Sequence, residues 1–259
     1  MQLPPRISIV TPCFNHVRFL EQCIESIVGQ NYPNLDYVIM DGGSTDGSTD
    51  IIRKYEKYLS HWQCAPDQGP YFAVNTGFDR TDGEIMTWLN SDDILMPGSL
   101  ETVADIFSQF SNIEWITGRV NVIDENGATK GRQKGSRGWT RETYLMRNYK
   151  RDIYVQQEGT FWRRTLWQRA GGRLDTEWKL AADFELWARF YRHAEMHCHP
   201  GWLAAFRKHA NQRSSLFIKD YHREADLITD RELELKPIST EPVSLPSLYE
   251  ESQPKPTIK

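Results

Sequence analysis

Trp88-Leu89-Asn90-Ser91-Asp92-Asp93 decides the fold. With Ile85-Met86-Thr87 before it, the stretch reads as the end of a buried strand that stops on two adjacent carboxylates. Aspartate is a poor strand residue, and two neighbouring like charges need water, a cation or a positive partner. At the carboxyl end of a buried strand, where open α/β sheets bind their ligands, a divalent cation meets that need. Mg²⁺ and Mn²⁺ take carboxylate oxygens and keep positions open for a substrate's phosphates. The plainer reading is a polar turn ahead of the helix that Pro97 precedes.

Upstream, Ile7-Ser8-Ile9-Val10 is a short β-rich run ended by Thr11-Pro12. Phe19, Leu20, Cys23, Ile24, Ile27 and Val28 follow at helical period. Tyr37-Val38-Ile39-Met40 predicts a second strand, which runs into Asp41-Gly42-Gly43-Ser44-Thr45-Asp46-Gly47-Ser48. The helix through Ile51, Ile52 and Tyr55 takes Ser48 or Thr49 as N-cap. A third strand around Trp62–Ala65 ends on Pro66-Asp67-Gln68-Gly69, and a helix from Tyr71 to Gly77 leads back to the paired aspartates. Strand and helix alternate, and each strand ends in a polar turn. The expected fold class is therefore α/β, with a Rossmann-like, mostly parallel sheet flanked by helices. Thr11, Asp41, Asp67 and Asp92 should then line one edge of it.

Downstream, Leu100–Phe110 reads as a helix, Trp115–Val122 as a strand and Asp124-Glu125-Asn126-Gly127 as a hairpin turn. Gln156–Trp162 is extended, Arg163–Ala170 helical, Leu180–His193 strongly helical, and Met196–Phe206 a final strand. From Lys130 to Arg173 twelve basic residues face three acidic ones. That excess suits a solvated face or mobile loop, or a surface for anionic acceptors or lipid headgroups. After about Arg231, five prolines in the last 23 residues mark a tail without its own core.

With 259 residues the chain can bury a full core. Its net charge of −4 gives no electrostatic case for nucleic acid. Four scattered cysteines suggest neither a zinc site nor a disulfide framework, and a reducing cytoplasm fits. The start of the chain lacks a basic-then-apolar signal sequence, and no apolar run approaches the length of a membrane span. Nine tryptophans are read as core before sugar platforms.

Three places can carry chemistry. The loop after Asp41 lacks the Gly-Lys-Ser/Thr ending of a phosphate loop. A carboxylate there suits a base N–H or a ribose hydroxyl, and the turn itself does not require Asp41. Asp183 falls on the apolar side of its helix, three residues from Leu180 and four from Trp187, where an acid is either an N-cap or has a task. Arg207-Lys208-His209-Ala210-Asn211-Gln212-Arg213-Ser214 gathers cations and small polar groups suited to a diphosphate, with His209 as a further metal or phosphate contact.

In this order, Ile-Val-Thr-Pro-Cys-Phe-Asn (9–15), Asp-Gly-Gly-Ser-Thr-Asp-Gly-Ser (41–48), Asp-Gln-Gly (67–69), Asn-Thr-Gly (75–77), Leu-Asn-Ser-Asp-Asp (89–93), Ala-Asp-Phe-Glu-Leu-Trp (182–187) and the Arg-Lys-His…Ser segment (207–214) resemble the family 2 glycosyltransferases of GT-A fold. The resemblance implies a glycosyltransferase domain over 1–215, its nucleotide-binding half at about 1–95 and its acceptor-side half at 96–215. A C-terminal helix and Pro-rich tail follow at 216–259. It implies nucleotide contacts at Thr11, Pro12, Phe14, Asn15, Asp41, Asp67, Asn75 and Asp92. Asp93, Asp92 and His209 would hold Mn²⁺ or Mg²⁺, and Asp183 would be the catalytic base. The reaction would be inverting transfer from a nucleotide-sugar, most simply a UDP-sugar, to a saccharide or lipid-linked saccharide acceptor. It would take place in the cytoplasm or peripherally at the inner membrane face. Thr76 stands where a lysine is common, and Ala182 where an acid often precedes the catalytic aspartate. Two rivals are a non-catalytic sugar-nucleotide or carbohydrate-binding protein and a sugar-1-phosphate nucleotidyltransferase. The latter would need a Gly-rich basic loop where Thr11-Pro12-Cys13-Phe14-Asn15 stands.

Overall fold

The computed structural model describes residues 3–132 and 139–235. Its first half is built from β1 (Ile7–Cys13), β2 (Leu35–Asp41), β3 (His61–Cys64) and β4 (Ile85–Trp88), joined by α1 (Val17–Val28), α2 (Ser48–Tyr55) and α3 (Pro70–Phe78). The strands run parallel in the order β3-β2-β1-β4. Helices cover both faces, so the central strands β1 and β4 are buried along their whole length. Cys13 is paired with Asp41 and Asp41 with Cys64, so three strands end level at one edge. Helix α3 lies directly on β1 because residue 77 is glycine: a Cβ there would stand 2.4 Å from the Val10 side chain.

The second half adds β5 (Ile94–Leu95), α4 (Ser99–Gln109), β6 (Trp115–Ile123), β7 (Thr129–Arg132), α5 (Arg141–Tyr144), β8 (Thr160–Arg163), α6 (Arg164–Arg169), α7 (Ala182–Phe190), β9 (His197–Arg207), α8 (Arg213–Leu216) and α9 (Ile218–Glu234). The sheet continues from β4 through β8, β6 and β9 to β5, with β7 paired to β6. Strand β8 is antiparallel to both β4 and β6, and β9 is parallel to β6, so the extension is mixed. One apolar layer packs α1 and α4 under the sheet, around Ile24, Val103 and Phe161. The other packs α3 and α7 above it, around Val74, Trp162 and Leu186. There Trp88, Trp115, Trp162 and Trp187 interleave, with Trp187 at ring-centroid distances of 5.5–5.8 Å from the other three. These tryptophans are core.

Several expectations change. Strand β1 does not end at Thr11-Pro12 but continues to Cys13, because proline suits extended backbone where its missing N–H is not needed. The N-cap of α2 is Gly47, at φ 101°, and not Ser48 or Thr49; the Asp46 carboxylate accepts the Ser48 N–H and hydroxyl at 3.0 and 2.7 Å instead. Helix α7 starts at Ala182 and ends at Phe190, shorter than its apolar period suggests. Where it is described, several cations of the basic stretch are paired within the protein. Arg147 pairs with Asp226 and Asp230 at 2.5 Å, Lys150 with Asp226 at 2.8 Å and Arg169 with Glu114 at 2.5 Å. Arg163 is bound to Glu84 and Arg164 to the Gly83 carbonyl. Residues 133–138 of that stretch, and the Pro-rich tail from 236, lie outside the described residues.

Candidate active site

At the level strand ends, the Asp41 carboxylate organises its own loop. Its Oδ1 accepts the Gly43 and Ser44 N–H groups at 3.1 and 2.8 Å, and its Oδ2 accepts the Ser44 hydroxyl at 2.5 Å. The turn does use Asp41, contrary to the sequence reading. Burial disfavours its charge, but hydrogen bonds from Cys64, Ser44 and Cys13 prevail and hold its carboxyl below the usual range. Asn15, at φ 54°, ties the end of β1 to the same loop: its N–H donates to Ser44 Oγ at 2.7 Å and its side-chain oxygen accepts the Thr45 N–H at 2.9 Å. Phe14 beside it is exposed and Pro12 is buried. The Asp67 carboxylate packs against Gly42, 3.2 Å from where a Cβ would sit. Asp41, Asp67 and Asn15 therefore share one corner. His16 joins the Asp41 loop to the aspartate turn: its backbone N–H donates to Ser48 Oγ at 3.2 Å, and its Nδ1 lies 2.7 Å from Ser91 Oγ.

The two aspartates face different ways. Asp92 lies at the rim, its Oδ2 2.9 Å from His209 Nε2. Asp93 is turned inward, 1% exposed, with Oδ1 accepting the Arg207 N–H at 2.8 Å. Burial, then repulsion from Asp92 and Glu158, pushes the Asp93 carboxyl well above the usual range, with the Arg207 N–H acting the other way. Arg207 is wholly buried and is spent on the protein itself: it donates to the Asp92 carbonyl at 2.6 Å, the Asp124 carbonyl at 3.0 Å and Gln22 Oε1 at 2.6 Å. It locks β9 to the aspartate turn and is not free for a diphosphate.

Among the described residues no three His, Cys, Asp or Glu side chains converge as a ready metal cage. Asp92 and His209 nevertheless bring one carboxylate and one imidazole to a single point at the cleft rim. Mg²⁺ and Mn²⁺ accept so few protein donors when phosphate oxygens and water complete the shell. Of the three expected metal ligands, these two stand together, and Asp93 does not.

Asp183 occupies the first turn of α7, whose capping residue, Ala181, has no side-chain oxygen to offer. A neighbouring helix supplies it: Glu224 of α9 accepts the N–H groups of Lys179, Leu180 and Ala181 at 3.1, 2.9 and 2.9 Å. Tyr71, at the start of α3 just beyond Asp67, donates its hydroxyl to the Leu180 carbonyl at 2.6 Å. Asp183 Oδ1 is buried without a partner. Burial raises its pKa to about 7; the N–H groups of Phe184 and Asp183 lower it, and the Glu224 charge raises it further. A carboxylate with a free oxygen and a pKa near neutrality is suited to taking a proton.

Not every expected residue reaches the cleft. The Thr11 hydroxyl is fully buried against the Tyr37 hydroxyl at 3.1 Å, because alternation along β1 turns it into the sheet. Both ends of the Asn75 carboxamide are committed to Leu174: it donates to that carbonyl at 3.0 Å and accepts that N–H at 2.8 Å. Asn75 therefore holds the segment leading to α7 and is not available to a nucleotide. Glu158 went unnoticed in the sequence, inside a segment read only as extended, where the structure forms a 3-10 turn over Gln157–Gly159. It is 4% exposed, and burial pushes its carboxyl up to about 8; its own N–H acts the other way, and the Asp183 and Asp92 charges add to the rise. The only signal was an acid between glutamine and glycine where the flanking residues are core.

The family model described as "Glycosyl transferase family 2" matches residues 8–170. An uncharacterized glycosyltransferase of Nostoc sp. is 31% identical over 133 residues, 48% of this chain and 39% of the relative. The GalNAc(5)-diNAcBac-PP-undecaprenol beta-1,3-glucosyltransferase of Campylobacter jejuni is 31% identical over 105 residues, 38% of this chain and 33% of the relative. The chain thus aligns with well under half the length of either. Among solved structures, S. aureus TarS 1-349 in complex with UDP-GlcNAc superposes with TM-score 0.72 at 17% identity, covering 89% of this chain and 68% of that one. Mannosyltransferase PcManGT from Pyrobaculum calidifontis, in complex with GDP-Man and Mn2+, does so with TM-score 0.66 at 16% identity, covering 91% and 66%. These likenesses show the GT-A fold. With a family match over more than half of its length, on a sheet whose strand ends gather the motif residues, the chain belongs to glycosyl transferase family 2.

Proposed function

We propose that this chain transfers a sugar, with inversion, from a nucleotide-sugar to a hydroxyl of a saccharide or lipid-linked saccharide acceptor. The observation that carries the reading is Asp183 Oδ1, buried and unpartnered at the head of a helix pinned to the nucleotide half through Tyr71. Asp41, Asn15 and Asp67 would hold the base and ribose. Asp92 and His209 would hold Mn²⁺ or Mg²⁺, which supplies charge neutralisation for the departing nucleoside diphosphate. The acceptor oxygen attacks the anomeric carbon from the face opposite the diphosphate. As the new carbon–oxygen bond forms and the glycosyl phosphate bond breaks, Asp183 accepts the hydroxyl proton.

Neighbours carrying UDP-GlcNAc and GDP-Man support a nucleotide-sugar donor. We take a uridine donor as the first to test, and the name of the Campylobacter relative favours a lipid-linked saccharide acceptor. Among the described residues no helix is long and apolar enough to cross a membrane, and we place the reaction in the cytoplasm, at or near the inner membrane face. Incubation with UDP-sugars and Mn²⁺ without acceptor tests the enzyme reading directly. Slow donor hydrolysis, lost in Asp183→Asn while nucleotide titration is unchanged, supports it; wild-type binding with no turnover leaves a binding protein of the same fold.

A further inference from the structure

In the reaction proposed above, the donor runs from its diphosphate at Asp92 and His209 to an acceptor oxygen beside Asp183, so the sugar ring must lie between them. A tight turn, residues 157–159, packs against the end of β4, from which the Asp92–Asp93 pair follows. Gln157 does the structural work of the turn: its Nε2 donates to the Trp88 carbonyl at 2.5 Å, and its Oε1 lies 3.4 Å from Asn90 Nδ2. Gly159 holds the other side, where a Cβ would come within 2.9 Å of Val120. The side chain between them, Glu158, is 4% exposed, and its Oε2 has no hydrogen-bond partner. The charges that bear on it are those of Asp183 and Asp92, and it bears in turn on Asp93. A buried carboxyl oxygen without a partner in the protein calls for one, which a water, an ion or a ligand hydroxyl can supply.

We propose that Glu158 reads the donor sugar, its Oε2 hydrogen-bonding a hydroxyl of the transferred ring. A carboxyl oxygen accepts a hydrogen bond from such a hydroxyl. Sites built to bond a substrate hydroxyl discriminate strongly against analogues that lack it, because the protein group is then left buried and unpaired. Glu158 would on this account set which sugar is moved, leaving nucleotide affinity to the Asp41 corner and the Asp92–His209 pair.

Calorimetric titration in Mn²⁺ tests this with two ligands. One is the nucleoside diphosphate alone; the other is whichever of UDP-GlcNAc, UDP-glucose, UDP-galactose or GDP-mannose the wild type binds best. Glu158→Ala should lose about tenfold or more in affinity for the nucleotide-sugar while the diphosphate changes by less than about twofold, and Glu158→Gln, which keeps an acceptor oxygen, should recover most of the loss. Equal losses for both ligands, or no loss for the sugar, overturn the proposal. Deoxy analogues of the donor provide a test that needs no variant fold: one of them should bind the wild type about tenfold more weakly than its parent, and parity across the series overturns the assignment. A wild type that binds none of these probes refutes instead the glycosyl-transfer reading on which this inference rests.

Discussion

The sheet edge that carries Asp41, Asp67 and Asp92 and the helix end that carries Asp183 are built by opposite means. At the edge, β1, β2 and β3 stop level, and short polar loops bond to themselves, as Asp41 does to Gly43 and Ser44. Asp41 and Asp67 accept N–H groups two or three residues further on, whereas Asp92 meets the distant His209. At the helix end nothing local suffices. Helix α7 has no capping side chain of its own and is held by Glu224, 43 to 45 residues further along, and by Tyr71, 109 residues before. A binding corner can be assembled from local turns, whereas a poised base needs a surround drawn from distant parts of the chain.

The sharpest way to break that contrast is Asp183→Asn. Transfer should fall by roughly 10²–10⁴-fold, with nucleotide titration unchanged; wild-type turnover would remove the poised base altogether. The same variant has a stability consequence whose sign is fixed. A carboxyl whose folded pKa lies near 7 keeps a proton that the unfolded chain releases near 4. Its cost is absent below pH 4, grows as the pH rises between those values and is complete above pH 7. Asp183→Asn should therefore be more stable than wild type at pH 8, by on the order of 2–4 kcal/mol, and equal to it near pH 4 in urea melts.

Next in size is the corner itself. Asp92→Ala or His209→Ala should weaken Mn²⁺-dependent nucleotide binding by roughly 10–100-fold in calorimetry. Asp93→Ala should instead destabilise the fold through the lost Arg207 contact, and a purely metal-binding effect at Asp93 would reverse the roles given to the pair. Asn75→Ala orphans both backbone groups of Leu174 and should cost about 1–3 kcal/mol in denaturant melts. The smallest effect probes the surround: Glu224→Gln should cost about 1 kcal/mol through a weakened cap. By removing a charge that raises the Asp183 pKa, it should also move the acidic limb of the pH–rate profile to lower pH. An unmoved limb would mean that Glu224 holds the helix without tuning the base.

The contrast also explains what could be read in advance. Alternating strands and helices, the polar strand ends, the carboxylate pair and the odd acid at 183 were all legible, because each is a local pattern of apolar period and turn chemistry. The inward turn of Asp93, the burial of the Thr11 hydroxyl and the commitment of Asn75 to Leu174 were not. All three depend on which way a side chain points once distant elements have met: β9 against the aspartate turn, β1 against β2, and α3 against the segment before α7. The pairing of several cations of 130–173 was hidden for a related reason: their partners, among them Asp226, Asp230, Glu84 and Glu114, lie far off in the chain.

By itself, then, the sequence determined that a parallel sheet would form and that its polar ends would share an edge, since burial of apolar strands and the chemistry of turns are settled within a few residues. Only the tertiary structure decided that Asp92 meets His209, that Glu224 caps α7 and that Glu158 is shut away with a free oxygen. Hydrogen bonds and charge are short-ranged in space and indifferent to separation along the chain, so such pairings exist only after the fold has brought their members together.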